Sequence, residues 1–396
     1  MQLSTPGAPH LTYCTNIHAG ESWTEVRASL SEHVLAVKAK VAPDRPFGVG
    51  LRLSAAAAGE LCEPSVLEEL RAFLAANGLY VFTINGFPYG SFHGMAIKER
   101  VYLPDWLEDE RLSYTDRLAL LLAEILPADA DLEGSVSTVP GAFKPRIRSP
   151  ADEEAMAARL LRHVALLHRI RERTGKTIAL ALEPEPFCHL ETIAETVAFF
   201  ERHVFAGRLP GLPAHESEAT LRRHIGVCFD ACHMAVEYEE PAAALGALDA
   251  AGIRVAKIQI SAGLEVALSG ADTEALDELR AFADAVYLHQ VVERGATGLT
   301  RYLDLPDALA AAAERGAPCE WRIHFHVPIF LETLGRFRST QRYLCELLDL
   351  VREAPRARHL EVETYTWDVL PEEHRQQSVS AAVARELRFV LDRLAR

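Results

Sequence analysis

Five short stretches in the second half of the chain set ligand-type residues two or three positions apart. They are "LEPEP" with Glu183 and Glu185, "FDACH" with Asp230 and His233, "KIQIS" with Lys257 and Gln259, "HFHVP" with His324 and His326, and "EVETYTW" with Glu361 and Glu363. Each ends or follows a short apolar run. In an extended strand, residues two apart share a face, so each such pair points the same way. Several carboxylates gathered at one place repel one another if all stay ionised. A divalent cation removes that conflict. Oxygen-rich donors with one imidazole suit Mn, Mg, Co or Fe, and Zn is also accommodated. Such an ion keeps a position open for substrate oxygens and acts as a Lewis acid. Each stretch alone has a plain explanation. DxxH is commonly a turn with a helix-capping Asp, HFH a pair of core histidines, EVE a solvated alternation, and LEPEP a proline-bounded loop. The argument for chemistry is their recurrence at the ends of successive strands.

The elements that must carry these residues are legible as apolar runs. Strand candidates are 11–16, 47–53, 80–86, 134–140, 177–184, 225–230, 255–261, 321–330 and 359–367. Most are near-continuous rather than alternating, as in parallel strands buried on both faces. Helical patterns fill the gaps, at 23–41, from 149 onward, at 191–204, at 339–354 and at the C-terminus. Ser149 is a capping residue, Pro150 fits a first helical position, and Gly175 is a stop. Repeated β–α units of this length form either a (β/α)8 barrel or an open doubly wound sheet. No GxGxxG follows the first strand and no GxxxxGK[ST] occurs, so the barrel is expected. The surplus strands fall between 262 and 330, read as an insertion near the last barrel strands. No linker divides the chain, so 1–396 is expected to be one barrel domain. Its chemistry would sit at the C-terminal ends of the strands.

Across its 396 residues the chain is 49% hydrophobic and 24% charged, with a formal net charge of -15. That field repels a phosphate backbone, so nucleic acid is an unfavoured partner. Seven scattered cysteines without a CxxC pair indicate neither a disulfide framework nor a zinc ribbon. No basic-then-apolar leader opens the sequence, and no run of about 18 apolar residues occurs, so membrane insertion is not expected. A cytoplasmic location is the simplest expectation.

The strand-end residues resemble the xylose isomerase-like TIM-barrel superfamily of sugar isomerases, epimerases and AP endonucleases. In that pattern strand five ends in a Glu ligand, often in LEP. Strand six ends in DxxH, a later strand offers a His, and the last strand ends in a Glu. The positions that match are Glu183, Asp230 with His233, His326 and Glu363; the resemblance implies Glu183, Asp230, His326 and Glu363 as metal ligands, with His233 near metal or substrate. In catalysis Glu183 and Glu363 would serve as ligand and base, with His233 or Lys257 aiding proton movement. A closer resemblance, over nearly the whole chain, is to the EboE family of metabolite-traffic proteins of the bacterial ebo cluster. It rests on "LTYCTNIHAGESW", "FGVGLRLS", "LYVFTINGFPYGSFHG", "VYLPDW", "WRIHFHVPIF" and "HLEVETYTWDVLP". That resemblance implies a role in small-metabolite biosynthesis or trafficking, with a functional link to other ebo-cluster proteins. Two departures stand out. Glu185 occupies the place of the Lys in EPKP-type isomerases. Glu332 stands six residues after His326, where ketose epimerases carry a substrate-binding Arg. Gln259 and His326 both remain candidates for one ligand position.

Upstream, "INGFPYGSFHG" follows the third strand. Asn85 and His93 are candidate hydroxyl partners, and Phe87, Tyr89 and Phe92 candidate stacking surfaces. His324 and Gln259 join Asn85, Phe87 and His93 as substrate-binding candidates. "FKPRIRSP" gathers Lys144, Arg146 and Arg148, which would suit a phosphate or carboxylate or simply face solvent. Three functions follow. The first is a metal-dependent isomerase or epimerase acting on a small sugar or cyclitol, with or without a phosphate. The second is a non-catalytic metabolite-binding protein on the same barrel. The third, an AP endonuclease-like phosphodiesterase, fits the fold but not the acidity. The reading leaves room for a homo-oligomer.

Overall fold

The computed structural model describes residues 1–90, 98–129, 131–270, 272–284, 286–312, 317–372, 375 and 377–395, with Val369 as backbone. Fourteen strands are described. Seven come first: β1 (His10–Tyr13), β2 (Phe47–Arg52), β3 (Leu79–Asn85), β4 (Gly134–Thr138), β5 (Ile178–Leu182), β6 (Ile225–Asp230) and β7 (Val255–Ile260). Then follow β8 (Leu264–Leu268), β9 (Val291–Gly295), β10 (Gly298–Tyr302), β11 (Cys319–Ile323), β12 (Thr333–Leu334), β13 (Phe337–Ser339) and β14 (His359–Val362).

One eight-stranded parallel sheet runs β1-β14-β7-β6-β5-β4-β3-β2. A parallel bridge between Cys14 and Gly50 brings its two edges together. Thr12 reinforces the seam, its Oγ1 donating to the Gly48 carbonyl at 2.7 Å and accepting from the Gly50 N–H at 3.0 Å. The result is a (β/α)8 barrel with helices between the strands. Apart from Tyr80 its strand residues are all buried, and most are apolar, as expected of strands covered on both faces. Gly50 has a particular reason to lack a side chain: a Cβ there would collide with the Glu361 carboxylate. The helix Pro150–Thr174 begins after Ser149 with Pro150 in its first turn. It stops at Gly175, whose φ of 74° only glycine adopts at little cost.

Between β7 and β14 the chain leaves the barrel. It forms a six-stranded sheet, β10-β9-β11-β8-β13-β12, antiparallel in every pairing. This excursion reaches Ser339, beyond the expected limit at 330. Val266, Trp321 and Phe325 of the excursion belong to the same contiguous apolar cluster as the barrel core.

The run 321–330, a strand candidate within the excursion, is a strand only in its first residues. Its ladder stops at Ile323. After that the Phe325 N–H turns back to the Ile323 carbonyl, the Val327 N–H bonds the Ala262 carbonyl, and Pro328 has no N–H to offer. His324 and His326 therefore reach the barrel mouth from a short irregular segment of the excursion. Lys98 pins another part of it, its Nζ donating to the carbonyls of Tyr287 (2.7 Å) and Asp284 (3.1 Å) and pairing with Asp304 at 2.6 Å. Among the described residues no helix is long and apolar enough to cross a membrane.

Candidate metal centre

Asp230 closes β6 and also caps the next helix. Its Oδ1 accepts from the His233 N–H at 2.9 Å and from Ser261 Oγ at 2.8 Å. Its Oδ2 is buried and has no hydrogen-bond partner. The capping turn is therefore present, and it uses one carboxylate oxygen and leaves the other unpartnered. A buried, unsatisfied carboxylate oxygen is costly unless a positive group meets it.

Two other carboxylates converge there. Glu183 follows β5 and Glu363 follows β14, and one oxygen each from Glu183, Asp230 and Glu363 lies within 4.8 Å of the others. Burial raises the Glu183 carboxyl well above its ordinary range, and the charges of Glu363 and Asp230 push it further. Burial does the same to Glu363, with Asp230 and Glu361 adding repulsion. This is the conflict that a cation would relieve.

Glu363 is held on one side. Asn16 Nδ2 donates to its Oε1 at 2.7 Å and Asn85 Nδ2 at 3.1 Å. Asn85 thus supports the Glu363 carboxylate while it also lines the cavity, and its Oδ1 accepts from the Phe87 N–H at 3.0 Å. Asn16 escaped the sequence reading, although "LTYCTN" ends in a polar residue just as the later strands do.

His326 donates from Nδ1 to the Glu363 carbonyl at 2.9 Å, and its Nε2 is buried without a partner. Burial lowers its pKa to about 4, so the ring is neutral and Nε2 carries a lone pair. His326 groups with Asp230 and His233 within 4.8 Å. Gln259 sits on β7 beside Asp230 and Glu361 in the sheet register, and both its amide atoms are buried and unpartnered.

Lys257 lies inside the barrel, fully buried, with its Nζ 2.5 Å from Glu361 Oε2. Burial works against its charge, but Glu361 outweighs it and holds the ammonium protonated. Its position makes it a counter-ion for the carboxylates above.

A cavity opens onto this cluster, and Glu183, Glu185, His233, His324 and Glu363 are among the residues that line it. Phe87, Tyr102, Tyr287 and Tyr365 supply aromatic wall. Phe87 stacks on Tyr102 at 5.8 Å, and Tyr287 meets Tyr365 edge-on at 5.3 Å. Tyr89 does not join them; it packs on Tyr114 at 5.0 Å. His93 and Phe92 lie outside the described residues. Two of the three cations after β4 are paired. Lys144 pairs with Glu191 and Glu195, and Arg146 with Asp105 and Glu108. Acidic neighbours from the adjacent helices and loops, invisible in the local run, neutralise these two, while Arg148 is exposed. Lys98 is the only lysine or arginine among the described residues lining the cavity, and it is engaged with Asp304.

No family model matches the chain, and no curated protein matches it. Solved structures do. A xylose isomerase-like TIM-barrel protein from Mycobacterium smegmatis, in complex with magnesium, aligns at TM-score 0.52 and 12% identity over 99% of this chain and 98% of that one. An L-ribulose 3-epimerase aligns at TM-score 0.48 and 14% identity, covering 98% and 94%. The IolI protein with a bound zinc atom aligns at 0.47 and 11%, covering 98% of each chain. At such identities the likeness is one of fold, and the Mycobacterium smegmatis barrel carries it. The fold of this chain is that of the xylose isomerase-like TIM barrels.

Proposed function

We propose that the chain is a metal-dependent isomerase or epimerase acting on an uncharged sugar or cyclitol. The observation that carries this reading is the set of orphaned donors at the mouth. Asp230 Oδ2 and His326 Nε2 are buried without partners, beside two carboxylates under mutual strain. Glu183, Asp230, His326 and Glu363 would hold a divalent cation, and Gln259 would face the same region. The donor chemistry fits Mn, Mg, Co, Fe or Zn. When bound, such an ion supplies Lewis acidity that makes a C–H beside a carbonyl easier to ionise.

The chain's own residues divide the remaining work. Glu363 is fixed by two amide donors, which favour its charged form and its orientation. Burial raises the proton affinity of Glu183 as it does that of Glu363, and Glu183 lines the cavity, so it is placed to take and return a substrate proton. Lys257 stays charged beneath them. The aromatic wall suits the flat face of a ring, and the lack of an unengaged lysine or arginine in the described lining disfavours a phosphate.

The long matching stretches also support a place among EboE-like proteins, in small-metabolite biosynthesis or trafficking within the cytoplasm. The test is solvent-deuterium exchange. Protein loaded with Mn is incubated in D2O with a panel of ketoses and inososes and followed by NMR. Deuterium entering a carbon next to the carbonyl, lost in Glu183→Gln, is the expected result. Ligand binding without exchange across the panel would favour a metabolite-binding protein instead.

A further inference from the structure

His289 lies fully buried in the excursion, just ahead of β9, and both of its ring nitrogens face acceptors. Nε2 meets the Asp284 carboxylate, and Nδ1 lies 3.1 Å from the His324 carbonyl. A backbone carbonyl has no hydrogen to give. Asp284 has none either: burial works against its charge, but the bond to His289 outweighs burial and holds the carboxyl below its ordinary range. A neutral imidazole has one N–H and satisfies only one of these partners; the imidazolium has two and satisfies both. The surrounding charge fits the imidazolium. The other titratable and charged groups around this position are Asp304, Lys98, His324 and His326. Asp304 Oδ1 accepts from the His289 backbone N–H at 3.0 Å, and Lys98 pairs with Asp304 and donates to the Asp284 carbonyl. Burial lowers the pKa of His324 and of His326, so neither ring adds a charge. Two carboxylates thus stand against one lysine, and His289 is the group that balances them.

The place of His289 gives its proton a structural consequence. On one side, Asp284 Oδ1 accepts from the N–H groups of Val286 (2.6 Å) and Tyr287 (3.0 Å), and Val286, Tyr287 and Leu288 line the cavity. On the other, His324 begins the irregular segment that brings itself and His326 to the barrel mouth, and its N–H bonds the Gln290 carbonyl at 2.8 Å. One ring therefore joins the cavity wall to the segment that carries two site residues. Without the second N–H, a lone pair would face the His324 carbonyl or the Asp284 carboxylate across a buried contact, and that side of the joint would be repelled.

We propose that His289 is a positioning residue and a proton-dependent clasp: its imidazolium closes the wall formed by Val286, Tyr287 and Leu288 onto the segment carrying His324 and His326, and loss of the proton opens the cavity at that joint. The wall is closed at low pH and loosens as pH rises. Histidine is the side-chain type suited to such a switch near neutral pH. The clasp stands apart from the isomerase reading, since it needs neither a metal nor a substrate.

Asp284→Asn is the informative variant. Its amide oxygen can keep the Val286 and Tyr287 bonds while its NH2 group donates to His289 Nε2, so that a neutral ring satisfies both sides. Full-length wild type and Asp284→Asn are exchanged in D2O by rapid mixing from about pH 5 to about pH 9, and the amides of residues 286–290 are followed by mass spectrometry. Dividing the two rates at each pH removes the intrinsic pH dependence of exchange. The ratio of wild type to variant should be near one at low pH and rise by about tenfold or more as the second N–H is lost. His289→Leu, which lacks both bonds, should exchange fast at every pH. If that variant does not fold, as judged by circular dichroism, Asp284→Asn carries the test on its own. A ratio that stays flat across the range would overturn the proposal, and so would a protected wall in folded His289→Leu.

Discussion

His326 and Glu363 are tied through their least specific atoms: the ring Nδ1–H of one meets the backbone carbonyl of the other at 2.9 Å. This bond joins the excursion between β7 and β14 to the end of the last barrel strand. It also fixes the tautomer, leaving Nε2 to face Asp230 and His233. Glu363 thus orients one donor with its carbonyl and supplies another with its carboxylate. The excursion is part of the site as well as a cover over it.

Asn16 tests the support of that carboxylate. It donates to Glu363 Oε1 and lines the cavity without being a proposed ligand. Asn16→Ala should weaken metal binding by about 10–100-fold while the fold persists, as loss of such supporting partners does elsewhere. Calorimetric titration with Mn2+ measures it. An unchanged affinity would mean that Asn85 alone holds Glu363.

Glu386 gives a pH-dependent outcome away from the ligands. Its Oε1 accepts from Thr364 Oγ1 at 2.7 Å and from the Ile329 N–H at 3.2 Å. Burial raises its pKa from 4.5 to about 7 despite those bonds. The unfolded chain ionises this acid near 4.5 and the folded one near 7, so its contribution is full below the first value and falls as pH rises to the second. The loss amounts to about 3 kcal/mol. In Glu386→Gln the amide oxygen keeps both bonds and nothing ionises. Urea unfolding should show the variant more stable than wild type by up to about 3 kcal/mol near pH 8, with little difference near pH 4. Equal curves at both pH values would contradict the raised pKa.

Lys98 separates the cover from the metal. Its three bonds tie Asp284, Tyr287 and Asp304 to the cavity wall, of which Lys98 and Tyr287 are part. Lys98→Met should leave metal content at the wild-type level and lower affinity for a cavity ligand by about tenfold, the loss of one charge-assisted bond. Metal analysis and ligand titration on the same sample decide it. A fall in metal content instead would show that the cover positions the cation directly.

Much of this arrangement was legible. β3, β5, β6, β7 and β14 begin and end close to where apolar runs meet polar residues, because parallel strands buried on both faces leave polar groups only at their ends. Asp230, Glu183 and Glu363 were visible for that reason. Other features were set by distant partners. The excursion was legible as surplus strands, but its end at Ser339 depends on β13 pairing with β8, a contact with no local signal. Asn85 reads as a substrate group, and its bond to Glu363, far away in sequence, has no local signal. Gln290 and Tyr102 fix the His324 ring only through a chain of bonds across three loops. Lys144 and Arg146 read as a basic patch because their acidic partners come from elsewhere.

The central claim is that a cation meets Asp230 Oδ2 at the barrel mouth. Asp230→Asn tests it most directly, since the amide oxygen can still accept from the His233 N–H and Ser261, while an NH2 group replaces the orphaned oxygen. Metal content after loading with Mn2+ and gel filtration is the measurement, with circular dichroism as the control for folding. The expected result is a cation bound at the Glu183–Asp230–Glu363 cluster in wild type and lost from it in a folded Asp230→Asn variant. Wild-type protein without a cation there, or a variant that keeps it, would contradict the account.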